Sequence, residues 1–208
     1  MITILLIIIT SLISIVCFNQ PELFAQLQFN AYQIIHRKEY YRLITHGFVH
    51  ANWWHLIVNM FVLYFFGRYA ELKLQYLAYH DGLLKYPVLI YIILYLASMI
   101  FASTISLVRH KNDPWYNSVG ASGSVSAVTF FFIFFEPWEM LRLYMAIPIP
   151  AIVFGVLYII YSQYMSRRGG DNINHDAHLL GAVFGFVFPL FINLDLIRDF
   201  ISKLGSVF

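Results

Sequence analysis

The run Gly120-Ala121-Ser122-Gly123-Ser124 opens a long apolar segment, and a second apolar segment opens at Ala177-His178. These two stretches decide how the chain is read. A serine hydroxyl is a weak nucleophile until a base takes its proton, and His178 is a candidate base with an ordinary pKa of about 6.5. Polar groups at membrane depth are costly, so a serine between glycines and a histidine at such depth point to chemistry carried out inside a bilayer. A glycine on each side of the serine lets backbone and substrate approach closely.

The composition agrees with that setting. The 208 residues are 60% hydrophobic and only 12% charged, where a soluble domain carries about 25% charged residues. Mean hydropathy is +0.69. The expected architecture is an all-α polytopic membrane protein, one domain over residues 1–208. The net charge of +2 is too small to argue for nucleic acid, and Phe 20, Tyr 15 and Trp 4 suit interfacial aromatic belts. The single Cys17 excludes an internal disulfide and reads as a core thiol. The apolar N-terminal segment has no basic region before it and no small-residue cleavage site, so it reads as an uncleaved span.

A transmembrane helix needs about 20 mostly apolar residues. Six segments are expected to span: residues 2–18, 53–71, 86–108, 120–135, 147–165 and 177–194. The first connector, residues 19–52, is long and half apolar, which places it in the interface rather than free in water. Residues 109–119 and 167–176 read as polar loops. Lys and Arg divide six against seven between the two sides, so the positive-inside rule sets no orientation. The second, fourth and sixth spans all start on one side, and the notable polar residues lie at those starts.

Those residues form three clusters. The first is His46, His50, His55 and Asn59, with His55 and Asn59 one turn apart on a helical face. The second is Gly120-Ala121-Ser122-Gly123. The third is His178 with Gly181 and Gly185 on the same face. A tetrahedral oxyanion needs donors placed in advance, and the Asn59 amide, a His55 ring N–H and the backbone N–H groups around Ser122 can supply them. Small residues spaced by four let helices approach closely in a membrane. Gly181 and Gly185 on one segment, with Gly123 and Ala127 on the other, make both helices thin where the reactive groups sit.

With these residues in hand, the chain resembles the rhomboid intramembrane serine proteases of the six-span bacterial type, over nearly its whole length. The family's HxxxHxxxxHxxxN pattern is matched by His46, His50, His55 and Asn59. Its GxSG motif is matched by Gly120-Ala121-Ser122-Gly123, and its AHxxGxxxG motif by Ala177-His178 through Gly181 and Gly185. The resemblance implies a six-helix bundle in which Ser122 is the nucleophile and His178 the general base, with no third acid. His55, Asn59 and the Ser122 amide would form the oxyanion hole. The first connector would hold an aromatic–Arg pair, here Tyr41-Arg42 where the family commonly has Trp-Arg. Some members carry an aromatic beside the base, four residues after the nucleophile, where this chain has Ser126.

Plainer readings apply elsewhere. His46 and His50 precede the second span and suit structural hydrogen bonding. No HExxH or acidic residue completes a zinc set, so no metal and no cofactor is expected. Asp176 lies two residues before His178, off its face, and reads as a helix N-terminal acid. His175 reads as interfacial, Trp53 and Trp54 as belt aromatics, and Arg68, Glu71 and Lys73 as interface charges. The function expected is cleavage of transmembrane substrates in the lipid bilayer, with the site facing the outer side of a bacterial cytoplasmic membrane. A pseudoprotease that holds transmembrane clients without cutting them is the alternative; its sign would be loss of the serine or the base. A transporter would place ionisable groups on both sides of the midplane, whereas these cluster near one face.

Overall fold

Apolar segments of this kind fold as helices because a helix satisfies every backbone N–H and C=O within the segment itself. The computed structural model describes residues 1–143, 147–170 and 173–205. Helix α1 covers Ile2–Phe18, and the first connector folds into α2 (Pro21–Leu27), α3 (Ala31–His36) and α4 (Arg42–Thr45). Helix α5 (Trp53–Val62) passes through a π turn at Leu63–Gly67 into α6 (Arg68–Tyr79). Then come α7 (Pro87–Ala102), α8 (Thr104–Arg109) and α9 (Ser122–Phe135). Strands β1 (Met140–Leu143) and β2 (Ile147–Pro150) pair antiparallel, Met140 opposite Pro150, and lead into α10 (Ala151–Arg168). Helices α11 (His175–Ile192) and α12 (Leu196–Gly205) complete the described chain.

The segment boundaries differ from the sequence expectation in instructive ways. The second segment does not stop at Glu71 but continues as α6 to Tyr79. The fifth begins as a strand at Ile147 and becomes helical at Ala151. By length and apolarity together, two helices among the described residues are able to cross a membrane, Pro87–Arg109 and His175–Ile192. Ile2–Phe18 and Ser122–Phe135 are apolar but shorter.

Helix α9 is the centre of the molecule. Thirteen of its residues, Gly123 through Phe135, are all buried. A helix apolar on every side belongs inside a bundle, and α9 packs against α7, α11 and the π turn. Its Phe131 and Phe134 anchor the core with Tyr91, Tyr95 and Leu94 of α7.

The contact with α11 is the tightest. A Cβ built on Gly181 would lie 2.1 Å from the carbonyl oxygen of Gly123, and one built on Gly185 would lie 1.9 Å from that of Ala127. The two helices therefore meet backbone to backbone over two turns, as the small-residue spacing implied.

Glu71 departs from its expected role as an interface charge. It is 2% exposed and accepts hydrogen bonds from the backbone N–H of Ile2 (2.8 Å) and Thr3 (3.2 Å) and from Thr3 Oγ1 (2.8 Å). The N–H groups at the start of α1 have no intrahelical partner, and a carboxylate there meets both the donors and the positive helix end. Arg68 adds a bond at 3.1 Å. Gly67 lets this junction close, because a Cβ there would sit 2.7 Å from the Tyr91 hydroxyl.

The α9–α11 seam generates a test. Gly181→Ala and Gly185→Ala each drive a methyl into backbone that has no rotamer to yield, and overpacking of this kind costs about 1–3 kcal/mol. Both variants are expected to melt well below the wild type in detergent micelles. Gly205→Ala, where a Cβ meets nothing within 4 Å, is expected to melt with it. Equal melting of all three variants would contradict the packing described.

Candidate active site

The chain enters α9 through a short extended loop, and that loop is held from several directions. Ser118 exchanges backbone hydrogen bonds with Phe29 of the first connector, at 3.0 and 3.2 Å. Gly120 has φ +116, a conformation that side-chain-bearing residues rarely adopt. Its N–H donates to the His46 carbonyl at 2.9 Å. The His55 ring lies over its Cα, so a Cβ there would be 2.6 Å from the imidazole Cε1. Both properties require glycine at 120, immediately before the serine loop.

The next residue identifies a tautomer. The Ala121 N–H donates to His50 Nε2 at 3.4 Å, which requires a bare nitrogen there. His50 Nδ1 therefore carries the proton and donates to Ser14 Oγ of α1 at 3.0 Å, and Ser14 Oγ donates to the Phe48 carbonyl at 3.0 Å. His46 follows the same logic. Its Nδ1–H donates to the Arg42 carbonyl at 2.8 Å, leaving Nε2 bare and 3.3 Å from Ser103 Oγ. Burial pushes the His46 pKa down to about 4. Burial, with the neighbouring His55 ring, pushes His50 down to about 3. Both imidazoles are neutral struts: the His50 ring ends on the loop before Ser122 and the His46 ring on Ser103, while the His46 carbonyl holds Gly120.

No side chain caps the N-terminus of α9, where Ser122 is the first residue. The first N–H groups of a helix have no partner within it and carry its positive end. Ser122, as the first residue of the helix, is among the residues that carry those donors. Beneath the loop, a cavity of about 20 Å³ lies among Ser122, Gly120, Ser118, His46, Ser103 and Asn174. That is room for about one water.

The start of α11, the helix that carries His178, is pinned. Asn174 caps the helix by accepting from the Ala177 N–H at 3.1 Å, and its amide donates to Ser106 Oγ at 3.0 Å. Asp176 accepts from Arg109 and from Ser166, tying α8 and α10 to the same turn. The Ala177 carbonyl oxygen lies 3.7 Å from where a Cβ of Gly123 would be. His178 follows Ala177, Ser122 precedes Gly123, and the Gly181–Gly123 contact is one turn further on. The seam thus brings the α9 turn of Ser122 alongside the α11 turn of His178. Both residues are partly exposed.

Other expected residues are placed less directly. Asn59 is buried and its amide donates to the His55 carbonyl at 2.8 Å, one turn back on α5. One of its amide hydrogens is thus used within its own helix. Arg42 is 4% exposed and sits away from the serine. It donates to the Ala25 and Gln28 carbonyls, both at 2.8 Å, and to Glu39 at 2.6 Å, with the Tyr41 ring 5.5 Å away. It fastens the first connector. His175, read as interfacial, is buried at 4% beside the His178 ring.

Two contacts were not anticipated. Ser14 lies with Thr3 and Thr10 on the buried side of α1, and that recurrence of hydroxyls in an apolar helix was the available signal. Tyr158 of α10 lies over the His178 ring, centroids 6.2 Å apart at 22°. Nothing in the local pattern marks it among the other tyrosines of that helix.

A profile of the Rhomboid domain matches residues 37–193 of this chain. Among curated proteins, the chain is similar to RHOMBOID-like protein 12, mitochondrial, of Arabidopsis thaliana, at 32% identity over 155 residues, covering 67% of this chain and 43% of that protein. It is also similar to Rhomboid-like protein 11, chloroplastic, of the same plant, at 29% identity over 161 residues, covering 71% and 51% respectively. The chain spans about half the length of these relatives.

Two expectations follow from the loop and its struts. Gly120→Ala combines a forbidden φ with a clash on His55, whereas Gly170→Ala meets a similar φ of +104 in open space. Gly120→Ala is expected to lower the melting temperature clearly more than Gly170→Ala does, and pairing it with His55→Ala is expected to recover part of the difference. No recovery would remove His55 from above the loop. The second concerns pH. His46 and His50 bind protons more weakly folded than at the unfolded value of 6.5. Their stabilising contribution is therefore full above about pH 6.5 and is lost as pH falls toward 4 and then 3. The wild-type melting temperature is expected to fall across that window, and less steeply in His50→Gln. A flat profile from pH 7 to 4 would contradict neutral, buried struts.

Proposed function

We propose that this chain, which belongs to the rhomboid family, is an intramembrane serine endopeptidase that cuts transmembrane segments of other proteins. The observation that carries the reading is the backbone contact of Gly181 with Gly123, which sets the turn of His178 against the turn of Ser122. A nucleophile and a base on thin faces of two adjacent helices, beside uncapped helix N–H donors, suit acyl transfer.

In this reading His178 takes the proton of Ser122 Oγ as that oxygen attacks the scissile carbonyl. The resulting oxyanion lies among the first N–H groups of α9, the His55 ring and the Asn59 amide. The imidazolium then protonates the leaving amine, and a water attacks the acyl-enzyme with His178 again as base. Gly120 and Gly123 leave the space that the substrate backbone needs. No metal or cofactor enters the reaction. A substrate helix must unwind locally before cleavage, because a helical carbonyl is already bonded and covered, so helix-destabilising and small residues near the scissile bond are favoured.

Six spans fit this function, formed by α1, the α5–α6 helix, α7 with α8, α9, α10 and α11. At about 1.5 Å per residue the fourteen residues of α9 reach about 21 Å, short of the roughly 30 Å hydrocarbon core. A short helix enclosed by protein leaves its N-terminus recessed, which puts Ser122 at modest depth with access to water from the outer side. The bacterial cytoplasmic membrane expected from the sequence has no support from the relatives, which are named for the mitochondrion and the chloroplast. We place the protein in a membrane and assign no compartment.

Wild type, Ser122→Ala and His178→Ala in liposomes with a reporter transmembrane helix provide the test. Mass spectrometry is expected to find one cut within the reporter's apolar segment for wild type and none for either variant. A fragment that persists in Ser122→Ala would sink the assignment of the nucleophile. A wild type that binds reporters but cuts none would favour the client-holding pseudoprotease, against the presence of both reactive groups.

A further inference from the structure

The imidazole of the base is packed by a third helix. Tyr158 of α10 lies over the His178 ring with centroids 6.2 Å apart at 22°, an offset, nearly parallel arrangement. Its hydroxyl is 2.6 Å from Ser126 Oγ, on α9 one turn beyond Ser122. His175 meets the imidazole edge-on at 5.8 Å and 73°. Phe130 of α9 and Phe154 of α10 lie 5.5 and 5.9 Å from the Tyr158 ring. One turn before Tyr158, Gly155 brings α10 close to α9, since a Cβ there would meet Ile133 at 3.1 Å. The Tyr158 ring is therefore positioned by α9, the helix that also begins with Ser122.

The final torsion of a histidine side chain is broad, so the ring plane needs an outside constraint. We infer that Tyr158 is a positioning residue for His178. Its ring fixes the imidazole plane, and the bond to Ser126 references that plane to the helix of the nucleophile. This inference rests on the endopeptidase reading. The ring belongs to α10, whose Val156, Leu157 and Ile160 are exposed, so the base is aimed only while α10 is seated on α9.

The test uses the full chain in liposomes, measuring kcat and KM on a reporter transmembrane helix together with the melting temperature. Tyr158→Phe keeps the ring and is expected to stay within about threefold of wild type. Tyr158→Ala is expected to lose about tenfold in kcat with KM within twofold, the scale of one aromatic pair. The double variant Ser126→Tyr with Tyr158→Ser moves the ring across the 2.6 Å contact to the other helix and is expected to recover most of that kcat. Wild-type kcat in Tyr158→Ala overturns the inference. So does a double variant no better than Tyr158→Ala, or a loss that follows melting temperature and KM rather than kcat. A wild type that neither cuts the reporter nor takes up a fluorophosphonate at Ser122 overturns the endopeptidase reading and this inference with it.

Discussion

Backbone meeting backbone along the α9–α11 seam is the constraint on which the rest of this structure depends. Lipid is as apolar as leucine, so helices in a membrane gain little by hiding apolar side chains from it, and close packing must hold them instead. Here the closest packing is that of Gly181 on Gly123 and Gly185 on Ala127. Any side chain at 181 or 185 would hold the helices apart and separate the turn of Ser122 from that of His178. The residues that permit the contact have no chemistry of their own, yet they set where the turns of Ser122 and His178 lie.

The second organising feature is the direction of the polar bonds. A short loop with a positive φ at Gly120 precedes the serine, and three histidines of the first cluster converge on it. His46 receives the Gly120 N–H on its carbonyl, His50 receives the Ala121 N–H on its ring, and His55 covers the Gly120 Cα. Each neutral imidazole has one donor and one acceptor, and the chain Ala121–His50–Ser14–Phe48 uses both. Buried polar groups are tolerated when satisfied in this way. The loop is thereby referenced to α1 and to the first connector, which Arg42 fastens in turn through carbonyls of α2.

Much of this was legible in the residues. The motif spacing located Ser122, His178 and the histidine cluster, and the small-residue period identified the faces that touch. Those signals are local, and local patterns survive in a one-dimensional reading. What was missed depends on contacts far apart in sequence. Glu71 looks like an interfacial charge until the free N–H groups of Ile2 and Thr3 arrive 69 and 68 residues away. Tyr158 looks like any tyrosine of α10 until Ser126 and His178 lie beneath it. Strand β2 falls where apolarity alone reads as helix, since Pro148 and Pro150 interrupt a run that hydropathy does not distinguish. The amphipathic α12, packed by Phe200 on Phe134, is too polar overall to register as a span.

The claim that the seam aims the nucleophile is tested most directly by fluorophosphonate labelling of the folded protein in liposomes, with the modified residue mapped by mass spectrometry. Wild type is expected to be labelled at Ser122. A Gly181→Val variant that keeps its helical content is expected to label there many times more slowly, because the turns of Ser122 and His178 no longer meet. Labelling of Gly181→Val at the wild-type rate, or wild-type labelling at a residue other than Ser122, would contradict the account.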